Sequence, residues 1–383
     1  MKGALDGVKV VDFTRVLAGP FCTMNLADFG AEVIKIERPV LGDDTRFFGP
    51  FVNDESSYYI YVNRGKKSIT LDLKDPNAIK ILKEMVKEAD VVVENFKPGV
   101  MSKLGLDYDS LKEVNKEIIY CSISGFGQKS PYSERPAYDI VAQAMGGIMS
   151  ITGYPDGQPA RVGCSLGDIS AGLYAALGIT TALYHRTQTG EGQFIDIAMM
   201  DSVFSFLESN VMRHTVQGIT PSRLGGRHPI SAPFDIFQAR DGLVIIAIAS
   251  DAMFDVFCEL TGHPGWKDEV RFSSDRNRAE NQEALKELIE AWLADYSVIE
   301  AIELMAKANI PCSEIFDIER ICKDPYIKAR DMLVSVKHPV AGEVLIPGNP
   351  IKFSGTPSRI LNGGPLLGEH NDEILGNLIK SGQ

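Results

Sequence analysis

Asp168 lies in Gly163-Cys164-Ser165-Leu166-Gly167-Asp168-Ile169-Ser170-Ala171-Gly172 and is the side chain with the most chemical promise in this chain. Its small neighbours leave room for a bulky ligand to reach the carboxylate. Gly167 allows a sharp backbone bend before the apolar helical pattern that follows. A carboxylate exposed in such a turn can act as a nucleophile toward an activated acyl group. Aspartate just ahead of a helix is also a common cap, accepting hydrogen bonds from the first free backbone N–H groups. On these ten residues alone the cap is the favoured reading.

A second group is cationic: Lys35, Arg38, Arg64, Lys66, Lys67, Lys74, Lys97 and Lys103. Arg38 stands out, because guanidinium binds phosphate through two parallel hydrogen bonds and stacks on flat rings. A solvated surface paired with Glu37, Asp43 and Asp44 explains Arg38 equally well, and explains any single lysine better. Asn95-Phe96-Lys97-Pro98-Gly99 combines an amide, an aromatic face and a tight turn, which suits a nucleotide ring or a pantetheine arm. Taken alone it is an ordinary strand-to-helix loop. In Tyr138-Asp139 the acid can cap a helix and the phenol can be a core residue. Gly225-Gly226-Arg227-His228-Pro229 is flexible and cationic, suited either to closing over a reacting centre or to linking two domains.

The elements that must position these groups follow from periodicity. Val8–Phe13, Val33–Ile36, Val91–Val93 and Ile118–Ile123 read as strands. Pro20–Phe29 and the amphipathic Pro76–Ala89 read as helices. This alternation predicts an α/β fold with a parallel sheet. Ligands bind beyond the carboxyl ends of such strands, where Thr14-Arg15-Val16, Glu37-Arg38, Glu94-Asn95-Phe96 and Gly125-Phe126-Gly127 fall. Residues 14–19 read Thr-Arg-Val-Leu-Ala-Gly, so neither the dinucleotide glycine fingerprint nor a P-loop is present. Ile169, Leu173, Ala176, Leu177, Ile179 and Leu183 predict a well-buried helix after Asp168. Asp201–Val216 reads as one helix, and Phe234–Ile248 as a hairpin around Arg240-Asp241-Gly242. Further helices are expected near 252–261, 278–295 and 298–308, then an extended tail from Met332 to Ser354 and a terminal helix over 365–379.

Composition narrows the function classes. The net charge of −12 disfavours nucleic acid and anionic membranes as partners. The six cysteines, Cys22, Cys121, Cys164, Cys258, Cys312 and Cys322, are scattered without a C-x-x-C pair, as are the histidines. That argues against a metal site or a disulfide framework and for a reducing compartment. Without an apolar leader or a span of membrane length, a soluble cytoplasmic protein is expected.

Taken in order, the motifs resemble those of the family III CoA transferases, whose members include formyl-CoA:oxalate, carnitine, bile-acid and succinyl-CoA:dicarboxylate enzymes. The resemblance rests on Leu5-Asp6-Gly7-Val8 with Ala18-Gly19-Pro20; Gly30 through Arg38; Asn63 with Lys66-Lys67-Ser68; Val93-Glu94-Asn95-Phe96 with Pro98-Gly99; Gly125-Phe126-Gly127; Tyr138-Asp139; Gly167-Asp168; Gly190-Glu191-Gly192-Gln193; and Pro365 through His370. Each motif is weak alone, but together they run in family order across nearly the whole chain. Arg15 through Pro20 and Gly42 through Arg46 look closest to the succinyl-CoA:dicarboxylate branch, and the glycine-poor Gly225-Gly226 loop argues against oxalate.

The resemblance implies a large Rossmann-like domain with a parallel sheet built from both chain ends (1–200 and 333–383), plus a smaller α+β domain (229–317). Linkers at 201–228 and 318–332 would join them in an obligate homodimer of interlocked subunits. It implies that Asp168 attacks an acyl-CoA thioester, giving an acyl-aspartyl anhydride and then an aspartyl-CoA thioester, before a carboxylic acid acceptor takes the CoA. Gly225 and Gly226 would supply oxyanion N–H groups. Val16, Ala18, Arg38, Leu71, Asn95, Phe96 and Lys103 would line the CoA site. No metal and no tightly bound cofactor are expected, coenzyme A being carried by the substrate. Tyr138 would form a wall of the active site, where racemases of the same fold carry a catalytic histidine. A 2-methylacyl-CoA racemase or epimerase is the alternative, weakened by that substitution.

Overall fold

The structure, a computed structural model, describes residues 2–360 and 362–381. The chain forms two units, Met1–Ile148 with Arg161–Gly218 and Pro325–Gln383, and Met149–Ala160 with Ile219–Asp324. The sequence reading kept 149–160 in the first unit and ran the second over 229–317.

In the first unit β1 (Lys9–Asp12), α1 (Ala18–Asp28), β2 (Glu32–Glu37), α2 (Ser57–Val62), β3 (Lys67–Thr70), α3 (Pro76–Lys87), β4 (Val91–Glu94) and β5 (Ile119–Ser124) follow in turn. Then come α4 (Asp139–Met145), α5 (Leu166–Thr189), β6 (Phe194–Ala198), α6 (Met199–Ser205) and α7 (Ser209–Gln217). The six strands are parallel, in the order β3-β2-β1-β4-β5-β6. This is the doubly wound order in which the chain reverses direction between β1 and β4, opening a crevice at their carboxyl ends. β-Branched alternation serves both faces of the sheet. Val10, Val33, Val91 and Val93 pack with Ala171, Ala175 and Ile179 of α5, while Val11, Ile36 and Val92 pack with Leu82, Met85 and Val86 of α3. Asp75 caps α3 by accepting from Asn77 N–H, with Pro76 in the first turn.

All six strands of this sheet come from the first 198 residues, which corrects the expectation that both chain ends build the sheet. The chain end contributes to the unit differently. Leu333–His338 and Gly342–Pro347 form a separate antiparallel hairpin, and the last helix starts at Asn371 rather than Pro365. Asn371 Oδ1 accepts from Thr70 N–H at 2.9 Å and its Nδ2 donates to Thr70 Oγ1 at 2.9 Å, so this segment covers the sheet edge at β3.

The expected single helix over 201–216 is two, α6 and α7, broken where Glu208 takes φ +37°. α5 also differs from expectation. At 24 residues it is long and apolar enough to cross a bilayer, yet it packs on α1, α4, α6, β5 and β6. Its inner face is made of small residues, Gly167, Ser170, Ala171, Gly172, Ala175 and Ala182, with Ile179 and Leu183. Leu173 (48 % exposed), Leu177 (61 %) and Tyr184 (68 %) point outward instead of into the core. Close approach to α1 demands the small side: a Cβ at Gly172 would stand 2.6 Å from Ala18 O.

The second unit holds an antiparallel sheet of β7 (Phe234–Gln238), β8 (Leu243–Ala247) and β9 (Cys312–Glu314), in the order β9-β8-β7. The Asp241-Gly242 turn joins β7 to β8 as the sequence suggests. The longer helices are α8 (Asp251–Leu260), α9 (Gln282–Leu293) and α10 (Val298–Lys307), around a core including Phe237, Phe254, Phe257, Leu285 and Ile289. The helix expected over 278–295 is divided at Asn281 from a short one at Asp275–Glu280.

Candidate active site

Asp168 is the third residue of α5, not the residue ahead of it, and Ser165 occupies the capping position without a side-chain hydrogen bond. The cap comes from α4. Asp139 Oδ1 accepts the Gly167 N–H at 2.7 Å, and its Oδ2 accepts from Gln143 Nε2 at 2.7 Å. Gln143 in turn accepts from Val162 N–H at 2.8 Å and donates to Cys164 O at 3.2 Å, pinning the lead-in to the helix. Gly167 is therefore needed for contact rather than for a bend. A Cβ there would lie 3.2 Å from Asp139 Oδ1 and 3.3 Å from Ala142 Cβ.

With Asp139 filling the anion position, the half-buried Asp168 carboxylate accepts no hydrogen bond among the described residues. Burial, and after it the Asp139 charge, push its pKa up to about 7. The helix N-terminus favours the ionised form, and burial outweighs it. The Tyr58 phenol on α2 is pushed up to about 12, first by burial and then by the Asp168 charge, so it lies within electrostatic reach of that carboxylate. An unpaired carboxylate with a raised pKa is a competent nucleophile.

Gly172, one helical turn beyond Asp168, abuts Ala18, so the Asp168 turn lies near the start of α1. There Val16 adopts φ +66°, a strained conformation for a β-branched residue. Its N–H donates to Asp43 Oδ1 at 3.2 Å, an oxygen that also accepts from Thr45 N and Oγ1. Across the chain-reversal point, Asn95 Oδ1 accepts from Arg15 N–H at 2.9 Å and Asn95 Nδ2 donates to Arg15 O at 2.7 Å.

Beyond β1, β2, β3 and β4 opens a cavity of about 300 Å³, with Arg15, Arg38, Leu71, Lys74 and Phe96 among its walls. Arg38, Leu71 and Phe96 from the expected CoA set thus meet in one place. Asn95 and Val16 adjoin it through their bonds to Arg15 and Asp43, whereas Ala18 is buried against Gly172 of α5 and is not part of the lining. Lys103 ends a short helix, Val100–Lys103, as an exposed side chain away from the lining. Arg38 is 53 % exposed and already donates to Asp44 Oδ1 at 2.7 Å and Gly42 O at 3.1 Å, so a phosphate would share it with an acid.

Three of the eight cationic residues serve the scaffold. Lys35 pairs with Asp43 at 2.8 Å, Lys66 with Asp12 at 3.1 Å and Arg64 with Asp28 at 2.7 Å, all buried. Burial drives the Lys66 pKa down to about 8 against the pull of Asp12. Tyr138 precedes α4 with its side chain 77 % exposed. Gly225 and Gly226 belong to the second unit. Gly225 takes φ +68° against Tyr154 and donates its N–H to Gly153 O at 2.9 Å, while Gly226 packs against Ile236.

Sequence reasoning missed the partnership of Asp139 with Gln143, and it missed Tyr58. The i, i+4 spacing of Asp139 and Gln143 was the one signal for the pair; Tyr58 had none, because its helix is short. Among the described residues, no group of three or more His, Cys, Asp or Glu is placed to hold a metal.

Known proteins resemble this chain along its length. The acetyl-CoA:oxalate CoA-transferase of Acetobacter aceti is 45 % identical over 92 % of this chain and 90 % of its own length. The succinate–glutarate CoA-transferase of Agrobacterium fabrum is 39 % identical over 98 % of this chain and 96 % of its own. A crystal structure of a CaiB/BaiF family protein from Brucella suis matches with a TM-score of 0.87 and 39 % identity, covering 99 % of this chain and 100 % of that one. The profile of CoA-transferase family III spans residues 5–371. A chain with this fold, this cleft and relatives along its whole length belongs to CoA-transferase family III.

Proposed function

We propose that the chain moves coenzyme A from an acyl-CoA to a carboxylic acid through covalent intermediates on Asp168. The observation that carries this is the unpaired Asp168 carboxylate, one helical turn from the contact between α5 and the start of α1. Its oxygen attacks the thioester carbonyl carbon, the carbon–sulfur bond breaks, and the thiolate leaves an acyl-aspartyl anhydride. The thiolate then attacks the aspartyl carbonyl and expels the donor acid. The acceptor carboxylate repeats the sequence in reverse. Two covalent steps conserve the thioester energy, provided that water is kept out.

Arg38, Leu71 and Phe96 hold the coenzyme, with Val16, Ala18 and Asn95 shaping its entry and Lys103 reaching a phosphate from outside. Tyr138 forms a wall near Asp168. It offers a phenol instead of the imidazole that α-carbon proton transfer requires, which disfavours a racemase.

Oxalate and glutarate, the acids in the names of the two relatives, are both dicarboxylates, and a dicarboxylate is the acceptor assigned here. The identity to an acetyl-CoA:oxalate enzyme brings oxalate back among the candidates. The outward Leu173, Leu177 and Tyr184 of α5, with exposed Phe204 and Phe206, form an apolar surface suited to a second copy of the chain. A soluble, cytoplasmic, interlocked homodimer is the assembly inferred.

Incubation with acetyl-CoA or succinyl-CoA, then hydroxylamine and peptide mass analysis, should find a hydroxamate at residue 168. New thioesters formed with oxalate, glutarate or succinate then name the acceptor. Transfer without any adduct at 168 would remove the mechanism.

A further inference from the structure

A second cavity of about 320 Å³ opens near the carboxyl end of β4, separate from the coenzyme cleft. The short helix 100–103 stands between them, with Val100 lining the cleft and Met101 and Ser102 lining the second cavity. Within the second cavity are Glu94 (5 % exposed) and Tyr120 (2 %). Tyr108, Tyr120 and Phe194 form a cluster of three rings, with centroids 5.8–6.3 Å apart. The buried Tyr120 hydroxyl has no hydrogen-bond partner among the described residues.

Glu94 differs from most buried acids of this unit. Asp12, Asp28, Glu37 and Asp43 each have a lysine or arginine. Asp139 sits on a helix N-terminus. Among the described residues Glu94 accepts only from Phe96 N–H, at 2.7 Å, and from the Ser122 hydroxyl, and Asp196 adds a like charge nearby. Burial, the largest effect, drives its pKa up to about 7. The other charges on the lining cancel, Lys97 and Lys129 against Asp107 and Asp109, leaving Glu94 to set the sign inside.

We infer that this cavity is a binding site for a small organic amine with an apolar or aromatic stem, held by Glu94, the Tyr120 hydroxyl and the ring faces of Tyr108 and Phe194. An ammonium group donates to the carboxylate and to the phenol oxygen, giving Glu94 a counter-charge and Tyr120 a partner. The stem lies on the rings, and the ring quadrupoles attract the cation. The site is distinct from the acyl-transfer centre and does not depend on the reaction proposed for it.

The probe is 2-phenylethylamine, titrated into the full-length protein by calorimetry, with 2-phenylethanol as neutral isostere and phenylacetate as anion. The amine should bind saturably, at least about tenfold more tightly than the alcohol, as expected for a hydrogen bond to a charged group. Glu94→Gln should weaken it about tenfold or more, and Tyr108→Leu several-fold, in variants whose circular dichroism and melting match the parent. If Glu94→Gln fails to fold, Tyr108→Leu and the amine–alcohol comparison on the parent protein decide. No saturable amine binding, equal binding of phenylacetate, or an unchanged affinity in folded Glu94→Gln would each overturn the proposal. The first of these would leave the cavity to ordered water.

Discussion

Beneath the cleft lined by Arg38, Leu71 and Phe96 and at the head of α5, acids are handled in opposite ways. Under the cleft, Asp12, Asp43 and Glu37 are each neutralised by a lysine or arginine and further hydrogen-bonded. Asp12 alone accepts from Thr14 Oγ1 at 2.5 Å and Thr23 Oγ1 at 2.6 Å. At the head of α5, Asp168 has no cation and no hydrogen bond among the described residues, and a second acid, Asp139, stands close by. Paired charges make a rigid floor whose carboxylates are held in the ionised state. An unpaired charge keeps its lone pairs available and titrates near the pH at which it must work. Charge pairing thus separates scaffold from chemistry more sharply than residue type does.

The contrast is broken most severely at Asp168 itself. Asp168→Asn should lower the transfer rate by about a thousandfold or more, since no nucleophile remains. It should also stabilise the fold in a pH-dependent way. The folded pKa of Asp168 is raised to about 7 from 3.8, so the native chain loses stability as pH rises from about 4 through 7. The variant should therefore gain up to about 4 kcal/mol over the parent at pH 8 and little at pH 4. Equal gains at both pH values, read by thermal or urea melts, would mean that Asp168 is not desolvated.

On the paired side, Lys66→Met strips Asp12 of its partner and should cost about 3–5 kcal/mol of stability. Combining it with Asp12→Asn should recover part of that loss, which a double-mutant cycle by urea unfolding measures. The smallest effect expected is at the boundary between the two regions. Ionised Asp168 is the nucleophile, so kcat/KM should rise with pH through about 7. Asp139→Asn keeps an acceptor for the Gly167 N–H but removes the like charge. It should move that limb to lower pH by less than about one unit, since burial is the larger cause. Gln143→Leu disturbs the same segment without changing charge and should leave the limb in place. A limb shifted equally by both would assign the effect to misplacement of the helix.

The legible parts of this protein are those written in local patterns. β1, β2, β4 and β5 announced themselves through β-branched runs, and α3 through its apolar stripe behind Asp75-Pro76. β3, Lys67–Thr70, went unread because four residues, two of them polar and one a lysine, give too little periodicity. α5 was found, but with Leu173 and Leu177 assigned to the core, since hydropathy cannot show that α1 approaches so closely that only small side chains fit. Arg38, Leu71 and Phe96 follow three different strands, and their convergence followed from strand order, which the carboxyl-end rule anticipates.

From the amino-acid order alone came the alternation that makes a parallel sheet, the motif series of family III, and Asp168 as the group to watch. Those signals are short-range, carried by spacing along one strand or one helix. Which acids are neutralised is a long-range matter: Lys66 reaches Asp12 across 54 residues, Arg64 reaches Asp28 across 36, and Asp139 reaches Gly167 across 28. Coulomb attraction and desolvation depend on distance in space, so only the folded chain decides that Asp12 is inert and that Asp168 and Glu94 are left without a counter-charge.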